Sequence, residues 1–443
     1  MRRAGAALAG MLILGAGCTY YNSIYNAEHL FAEAERHRRA GRDSLAAALY
    51  ADVIRKAAHG FRREPDGGWA YEAAFLLGRA HLRTGDLPAA RAALEHSAGL
   101  AEDPEERLAA HVYLGVVEAE LGRPDRATGL FNEALAGVTM PAARAEGHLH
   151  RARILLARGN PDAGWWDLDR AAEGHPDLRV EATLERMRSG IRLDDRRRTE
   201  ESVRRLLSYP EAGERAGALI EALGEARDRW GAGAAADLLE DAEAAAWSRT
   251  PRDRLALERS GLLRQAGRTA EAELLLREVS DGPGATAAAA RVRLARWMLE
   301  GADDVGDVYA LRGLLLPAGG DPGVAALLGD IGLFEELVFD GVDAPLAWFA
   351  AAELARDALG AKRLARDLMI AYAGNAPAEP WAPKALLAAI ELSDTELERA
   401  RLRERLEAHA GSPYVLAAHG RPAVGYEALE EELVGRLREI HPR

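Results

Sequence analysis

Cysteine is all but absent from this 443-residue chain, which carries Cys18 and no other thiol. An internal disulfide is therefore excluded. Lysine is almost as scarce, with Lys56, Lys362 and Lys384 its three occurrences among 57 basic residues. Aromatic residues make up 6% of the chain, and Val, Ile and Thr are sparse beside Ala, Leu, Arg and Glu. That balance favours helix over sheet. After the first seventeen residues no apolar run approaches the roughly 20 residues of a membrane-spanning helix. The zinc motif H-E-x-x-H, the nucleophile elbow G-x-S-x-G and the phosphate loop G-x-x-x-x-G-K-[ST] are all missing, so the sequence offers no catalytic centre, metal site or cofactor of those kinds. A formal charge of -13 argues against a nucleic-acid partner, which needs clustered cations.

Several local features look chemical and are better explained structurally. Gly231-Ala232-Gly233-Ala234-Ala235-Ala236 fits the dinucleotide fingerprint G-x-G-x-x-A, but it follows Glu225 to Trp230, which reads as helix where the fingerprint needs a strand. His148 and His150 point to different sides of a helix and are expected on the surface or in a groove. Arg196-Arg197-Arg198, flanked by Asp194-Asp195 and Glu200-Glu201, reads as a solvated, internally paired helix face. Trp165-Trp166, just before Leu168, is expected to fill a gap between helices.

What is present begins at the N-terminus. Arg2 and Arg3 precede an apolar core from Ala4 to Leu14, and Gly15-Ala16-Gly17 forms a small-residue run before Cys18. This is the layout of a secretory signal, too short to span a bilayer about 30 Å thick. Leu14-Gly15-Ala16-Gly17-Cys18 resembles a bacterial lipoprotein signal, with the large apolar residue one place earlier than in the usual pattern. The resemblance implies cleavage before Cys18 and diacylglycerol on its thiol, and Thr19 in place of aspartate implies the outer membrane. Residues 1–17 are thus expected to be a signal peptide and 18–26 an acylated cysteine with a short tether, so that the chain is lipid-anchored in the cell envelope, facing the periplasm. Tyr20, Tyr21, Ile24 and Tyr25 then lie either in the headgroup region or under the first helical hairpin.

A spaced pattern recurs along the rest of the chain. A small residue is followed after seven places by glycine and a polar residue, after five more by another small residue, and after four more by a large apolar one. The sets are Ala34, Gly41, Ala46, Tyr50; Gly78, Gly85, Ala90, Leu94; Gly115, Gly122, Ala127, Phe131; Ala152, Gly159, Gly164, Leu168; and Ser260, Gly267, Ala272, Leu276. Gly224, Gly231 and Ala236 form a partial set ending at Glu240 beside Leu239, while the unit near Leu184 to Leu207 has lost its glycine. From Gly301 onward, segments such as Leu346 to Leu359 and Ala361 to Tyr372 keep only an apolar periodicity.

This pattern resembles the tetratricopeptide repeat, a helix-turn-helix of about 34 residues. The implied fold is all-α, with tetratricopeptide-like helix hairpins stacked into a right-handed superhelical solenoid. Residues 27–180 are expected to hold the N-terminal repeats, 181–316 degenerate repeats, 317–323 a Pro- and Gly-rich hinge, and 324–443 a C-terminal helical-repeat region. Gly411-Ser412-Pro413-Tyr414 resembles the loop and helix start of outer-membrane assembly lipoproteins of the BamD type, and Pro380-Trp381-Ala382-Pro383 is a looser version of it.

In tetratricopeptide proteins the inner groove is lined by the first helix of each hairpin. Carried onto this sequence, the groove places include Glu28, Phe31, Glu35, Arg38 and Arg39, then Glu72, Phe75, Arg79, Leu82 and Arg83. The third unit gives Val112, Val116 and Glu120, and the fourth Glu146, Leu149 and Arg153. Phe31, Arg38, Arg39, Phe75, Arg79, Arg83, Val112, Val116 and Arg153 are the candidate peptide-binding residues, since guanidinium groups beside apolar side chains suit an extended peptide with a terminal carboxylate. Exchange of Arg79 and Arg83 together for glutamate is expected to abolish capture without unfolding the chain. The resemblance implies a noncatalytic scaffold that binds other envelope proteins or extended peptides, in outer-membrane protein assembly. Alternatives are a peptidoglycan-acting enzyme on a helical solenoid or a structural component of an export complex.

Overall fold

A computed structural model describes residues 20–239, 247–339 and 344–440, and every regular element among them is helical. The signal segment, Cys18 and Glu240 lie outside the described residues. Two compact units divide at Ala266 and Gly267. No described helix is long and apolar enough to cross a membrane.

The first unit opens on five antiparallel hairpins. They are α1 (Asn26–Arg39) with α2 (Asp43–Arg63), α3 (Ala70–Thr84) with α4 (Leu87–Leu100), α5 (Pro104–Glu120) with α6 (Pro124–Leu135), α7 (Pro141–Ala157) with α8 (Pro161–Gly174), and α9 (Pro176–Arg192) with α10 (Arg196–Ser208). Each hairpin packs on the next, which makes the array a tetratricopeptide-like solenoid. Three further helices complete the unit, α11 (Ala216–Trp230), α12 (Ala232–Asp237) and α13 (Arg249–Gln265).

The repeat spacing has a backbone cause. Gly41, Gly85, Gly122 and Gly159 all have φ between 70° and 79°, the left-handed conformation that ends a helix. In each turn the residue after the glycine donates its N–H back five places, as from Asp86 to His81 O at 3.0 Å and Arg123 to Glu118 O at 2.9 Å. The fifth hairpin makes the same turn without glycine. Asp194 takes φ 61°, and Asp195 N–H reaches Gly190 O at 2.8 Å. Aspartate is among the few residues that tolerate this region, because its short side chain bonds locally. Here that side chain accepts from Trp230 Nε1 at 2.5 Å.

The small residues are contact points. Ala34, Ala90, Ala127 and Ala152 are fully buried, as are Leu94 and Phe131, and Tyr50 and Leu168 are nearly so. Ile24 is buried, and a Cβ on Gly60 of α2 would meet its Cγ1 at 3.2 Å, so the tether end packs under the first hairpin. Tyr25 is exposed on its other side, edge-on to His29.

The second unit comprises α14 (Thr269–Ser280), α15 (Gly284–Gly301), α16 (Val305–Leu315), α17 (Pro322–Phe339), α18 (Ala344–Leu354), α19 (Lys362–Asn375), α20 (Ala382–Leu392), α21 (Glu396–Glu407), α22 (Pro413–Ala418) and α23 (Tyr426–Ile440). Leu311, Ile331, Phe334, Phe349, Tyr372 and Trp381 share its core. Segment 317–323, expected as the main hinge, lies inside this unit, where Leu316–Ala318 forms a 3-10 turn and Pro322 opens α17. Its prolines and glycines start and stop helices within one core. Gly360 has φ 74°, with fully buried Ala365 and Met369 five and nine places on, so the repeat spacing persists in a region where periodicity alone is visible. Ser412 caps α22 by accepting from Tyr414 N–H at 3.3 Å.

Candidate functional site

The first helices of the five hairpins, α1, α3, α5, α7 and α9, line an open cavity of about 590 Å³. Residues on α1 and α3 reach it at helical spacing: Glu28, Phe31 and Glu35 on one, Glu72, Phe75 and Arg79 on the other. The cavity is therefore stratified along the helix axes. Carboxylates stand at the N-terminal ends, aromatic rings follow, and an ionic network crosses the C-terminal ends.

Arg79 occupies the centre. Its guanidinium carbon lies 4.2 Å from the ring centroid of Phe31, 4.8 Å from that of Tyr113 and 5.4 Å from that of Phe75. Three electron-rich faces hold the cation by about 0.5–2 kcal/mol each. Its Nε is buried and has no hydrogen-bond acceptor. Tyr71 stacks on Phe75 at 5.6 Å and donates its hydroxyl to Glu106 O at 2.9 Å, extending the aromatic wall.

Arg83, Arg38, Arg39 and Arg153 are already occupied, whereas Arg36, exposed where it lines the cavity, forms no ion pair among the described residues. Arg83 bonds Glu35 at 2.8 Å and also Glu146, Arg38 reaches Glu35 at 3.1 Å and Glu181 at 3.4 Å, and Arg39 pairs with Asp177 at 2.5 Å. Arg153 pairs with Glu181 at 3.0 Å. These bonds tie α1 to α9, four hairpins along the stack, and Arg215 adds a bond to Arg39 O at 3.3 Å. A smaller hollow of about 240 Å³ shares Arg36, Arg39 and Asp177 with the cavity at that end. Burial opposes ionisation of Glu35, but Arg83, Arg38 and the Tyr50 hydroxyl, 2.5 Å away, outweigh it and hold the carboxyl at about 2. Burial likewise works against Glu146 and Glu181, and the same arginines hold both below the usual carboxylate range.

The structure places Phe31, Phe75 and Arg79 on the cavity wall, while Arg83 is paired with Glu35 and Glu146 and is absent from that wall. Val112 and Val116 are 0% and 1% exposed and lie in the core, because α5 is wrapped by its neighbours and Val112 faces Gly147 of α7. Tyr113, one place on, is the residue that α5 sends to the groove. Arg38, Arg39 and Arg153 serve the chain's own carboxylates. Arg83 cannot become glutamate harmlessly, since the new carboxylate would face Glu35 and Glu146. Leu149 is fully buried. Asp177 and Glu181 were missed because the lost glycine hid the register of the fifth hairpin.

His148 and His150 are buried, not superficial, with His148 Nδ1 2.7 Å from Asp167, which also takes two bonds from Arg151, and His150 3.4 Å from Glu146. Trp165 fills an interhelical gap and donates to Ser189 Oγ at 2.9 Å, whereas Trp166 is half exposed beside His148 and Arg170. Helix α11 precedes the Gly231 turn, which rules out the dinucleotide fold there. Asp303, Asp304 and Asp307 lie close enough to share a cation, but they are exposed, and Asp304 and Asp307 form the capping box of α16.

No protein-family model and no curated protein matches the chain. Solved structures similar to it include a tetratricopeptide repeat protein from Parabacteroides merdae ATCC 43184, at 18% identity over 59% of this chain and 98% of that one, TM-score 0.29. A human IFIT1 dimer with m7Gppp-AAAA matches at 12% identity over 82% and 68%, TM-score 0.31. Naa15/Naa10 bound to HypK-THB matches at 14% over 94% and 64%, TM-score 0.28. Superpositions this loose carry no functional weight, and the assignment of tetratricopeptide-like hairpins rests on the turns and contacts described above.

Proposed function

We propose that this protein is a noncatalytic, lipid-tethered scaffold of the cell envelope that captures an extended segment of another protein in the groove of its first five hairpins. The observation that carries the reading is Arg79. It is a cation pinned against three rings on a concave surface, with no carboxylate of this chain paired to it among the described residues. A guanidinium so placed favours a ligand carboxylate, and the rings beside it favour apolar side chains. The anchor follows from the lipoprotein-like signal at Cys18, and Thr19 favours the outer membrane. Within that compartment, the BamD-type resemblance makes barrel assembly the first process to examine.

In-cell crosslinking of the full-length chain, followed by identification of the adducts, tests this assignment. Envelope proteins joined through groove positions support it, and barrel-assembly subunits among them support the narrower role. Adducts confined to positions outside the groove would contradict it.

A further inference from the structure

Two carboxylates in the groove form no ion pair among the described residues. Glu28 and Glu72 stand at matching places on α1 and α3, three residues before Phe31 and Phe75, and both line the cavity. Neither forms an ion pair among the described residues, whereas Glu35, Glu146 and Asp177 in the same cavity are all neutralised. Glu72 Oε2 is buried without a hydrogen-bond donor. Burial pushes both carboxyls up, and the Glu28 charge adds to the effect at Glu72. Of the other ionisable groups nearby, His29 partly offsets the burial at Glu28, and Glu106, itself pushed up by burial and by Glu72, adds negative charge.

The cavity thus has an unneutralised negative end and an unneutralised positive centre. Glu72 and Arg79 are seven residues apart on one helix face, about 10 Å of axial rise at 1.5 Å per residue. An extended peptide covers that distance in about three residues at roughly 3.5 Å each. Beyond Arg79 the cavity is lined by the ion-paired Glu35, Arg39 and Asp177, so a terminal carboxylate entering past Glu28 and Glu72 meets an unpaired guanidinium at Arg79. A hard divalent cation is a poorer fit than an ammonium or guanidinium group, because it takes six or more oxygen ligands and two carboxylates on separate helices leave most of them unfilled.

Resting on the peptide-groove reading above, we propose that the groove selects a polypeptide C-terminus with a basic residue about three positions from its end. The terminal carboxylate lies on Arg79, an apolar side chain packs against Phe31 and Phe75, and the basic side chain sits between Glu28 and Glu72.

Fluorescence anisotropy with the full-length chain in detergent tests this, using three probes labelled at the N-terminus through a neutral linker: lysyl-alanyl-phenylalanine, its glutaminyl counterpart, and the lysyl peptide as C-terminal amide. The lysyl acid is expected to bind at least tenfold more tightly than either of the others. In Glu28→Gln with Glu72→Gln, whose folding is checked by thermal melt, the lysyl and glutaminyl acids should bind alike. Equal binding of these two acids to the unaltered chain overturns the cation subsite and leaves the groove standing, as does a lysyl preference that survives the double exchange. Equal binding of acid and amide overturns the terminal assignment. Failure of all three probes to bind the unaltered chain overturns the peptide-groove reading and this inference with it.

Discussion

A Cβ atom built on Gly115 would lie 2.7 Å from Cε1 of Phe131, closer than side-chain carbons approach one another. Glycine at 115 is what lets α5 close on α6 with the Phe131 ring fully buried between them. Gly78 does the same for Leu94, at 2.5 Å from its Cγ.

Gly115→Leu should therefore overpack the third hairpin and cost about 1–3 kcal/mol. Urea denaturation followed by circular dichroism measures it. Gly115→Leu combined with Phe131→Ala should recover part of the loss, because the second change empties the volume the first invades.

Arg83→Glu should be strongly destabilising, by about 3–5 kcal/mol, since it leaves Glu35 and Glu146 buried with a third carboxylate in place of their shared cation. The expected thermal melt is lowered and broadened for the first unit. Arg79→Met breaks no ion pair among the described residues but loses the three ring contacts, so its melt should fall, and by less than that of Arg83→Glu.

Acid should weaken the first unit through the same network. Glu35 has its pKa lowered to about 2, from an ordinary value of 4.5, so its contribution is fully present above 4.5 and is lost as pH falls toward 2. Glu146 and Glu181 act in the same direction. Glu28 and Glu72 are raised and act oppositely, favouring the folded state below their pKa values and losing that contribution as pH rises through them. Melting temperature measured from pH 5 to pH 2 should fall less steeply in Glu35→Gln than in the unaltered chain.

Cys18→Ser should abolish lipid attachment. Intact mass of the protein purified from membranes should show the acyl mass on a chain beginning at Cys18, and the variant should lose that mass and leave the membrane fraction. An unmodified Cys18 at the mature N-terminus would remove the anchor from the proposed function.

Much of the fold was legible because left-handed turns demand glycine and close helix contacts demand small residues, and both leave fixed spacings. The fifth hairpin is visible in the sequence only as a unit without its glycine, because Asp194 adopts the left-handed conformation in its place. Around Gly360 only apolar periodicity is legible, because Glu353 stands seven places before it where the pattern has a small residue. The groove was legible in part: Phe31, Phe75 and Arg79, which the tetratricopeptide resemblance implies as groove residues, line the cavity. What register could not convey was charge pairing between distant repeats, as in Arg39 with Asp177, or the rotation of α5 that buries Val112 and presents Tyr113. Both depend on how the stack curves, which no local spacing encodes.

The central claim is that partners occupy the concave groove, and site-specific photocrosslinking tests it most directly. A photoreactive residue replaces Ala32, which lines the cavity and is exposed, and separately Glu133 on α6, which is two-thirds exposed outside it. The account predicts protein adducts from position 32, their loss when Arg79→Met is added, and none from position 133. Adducts from position 133 alone, or adducts from 32 unaffected by Arg79→Met, would contradict it.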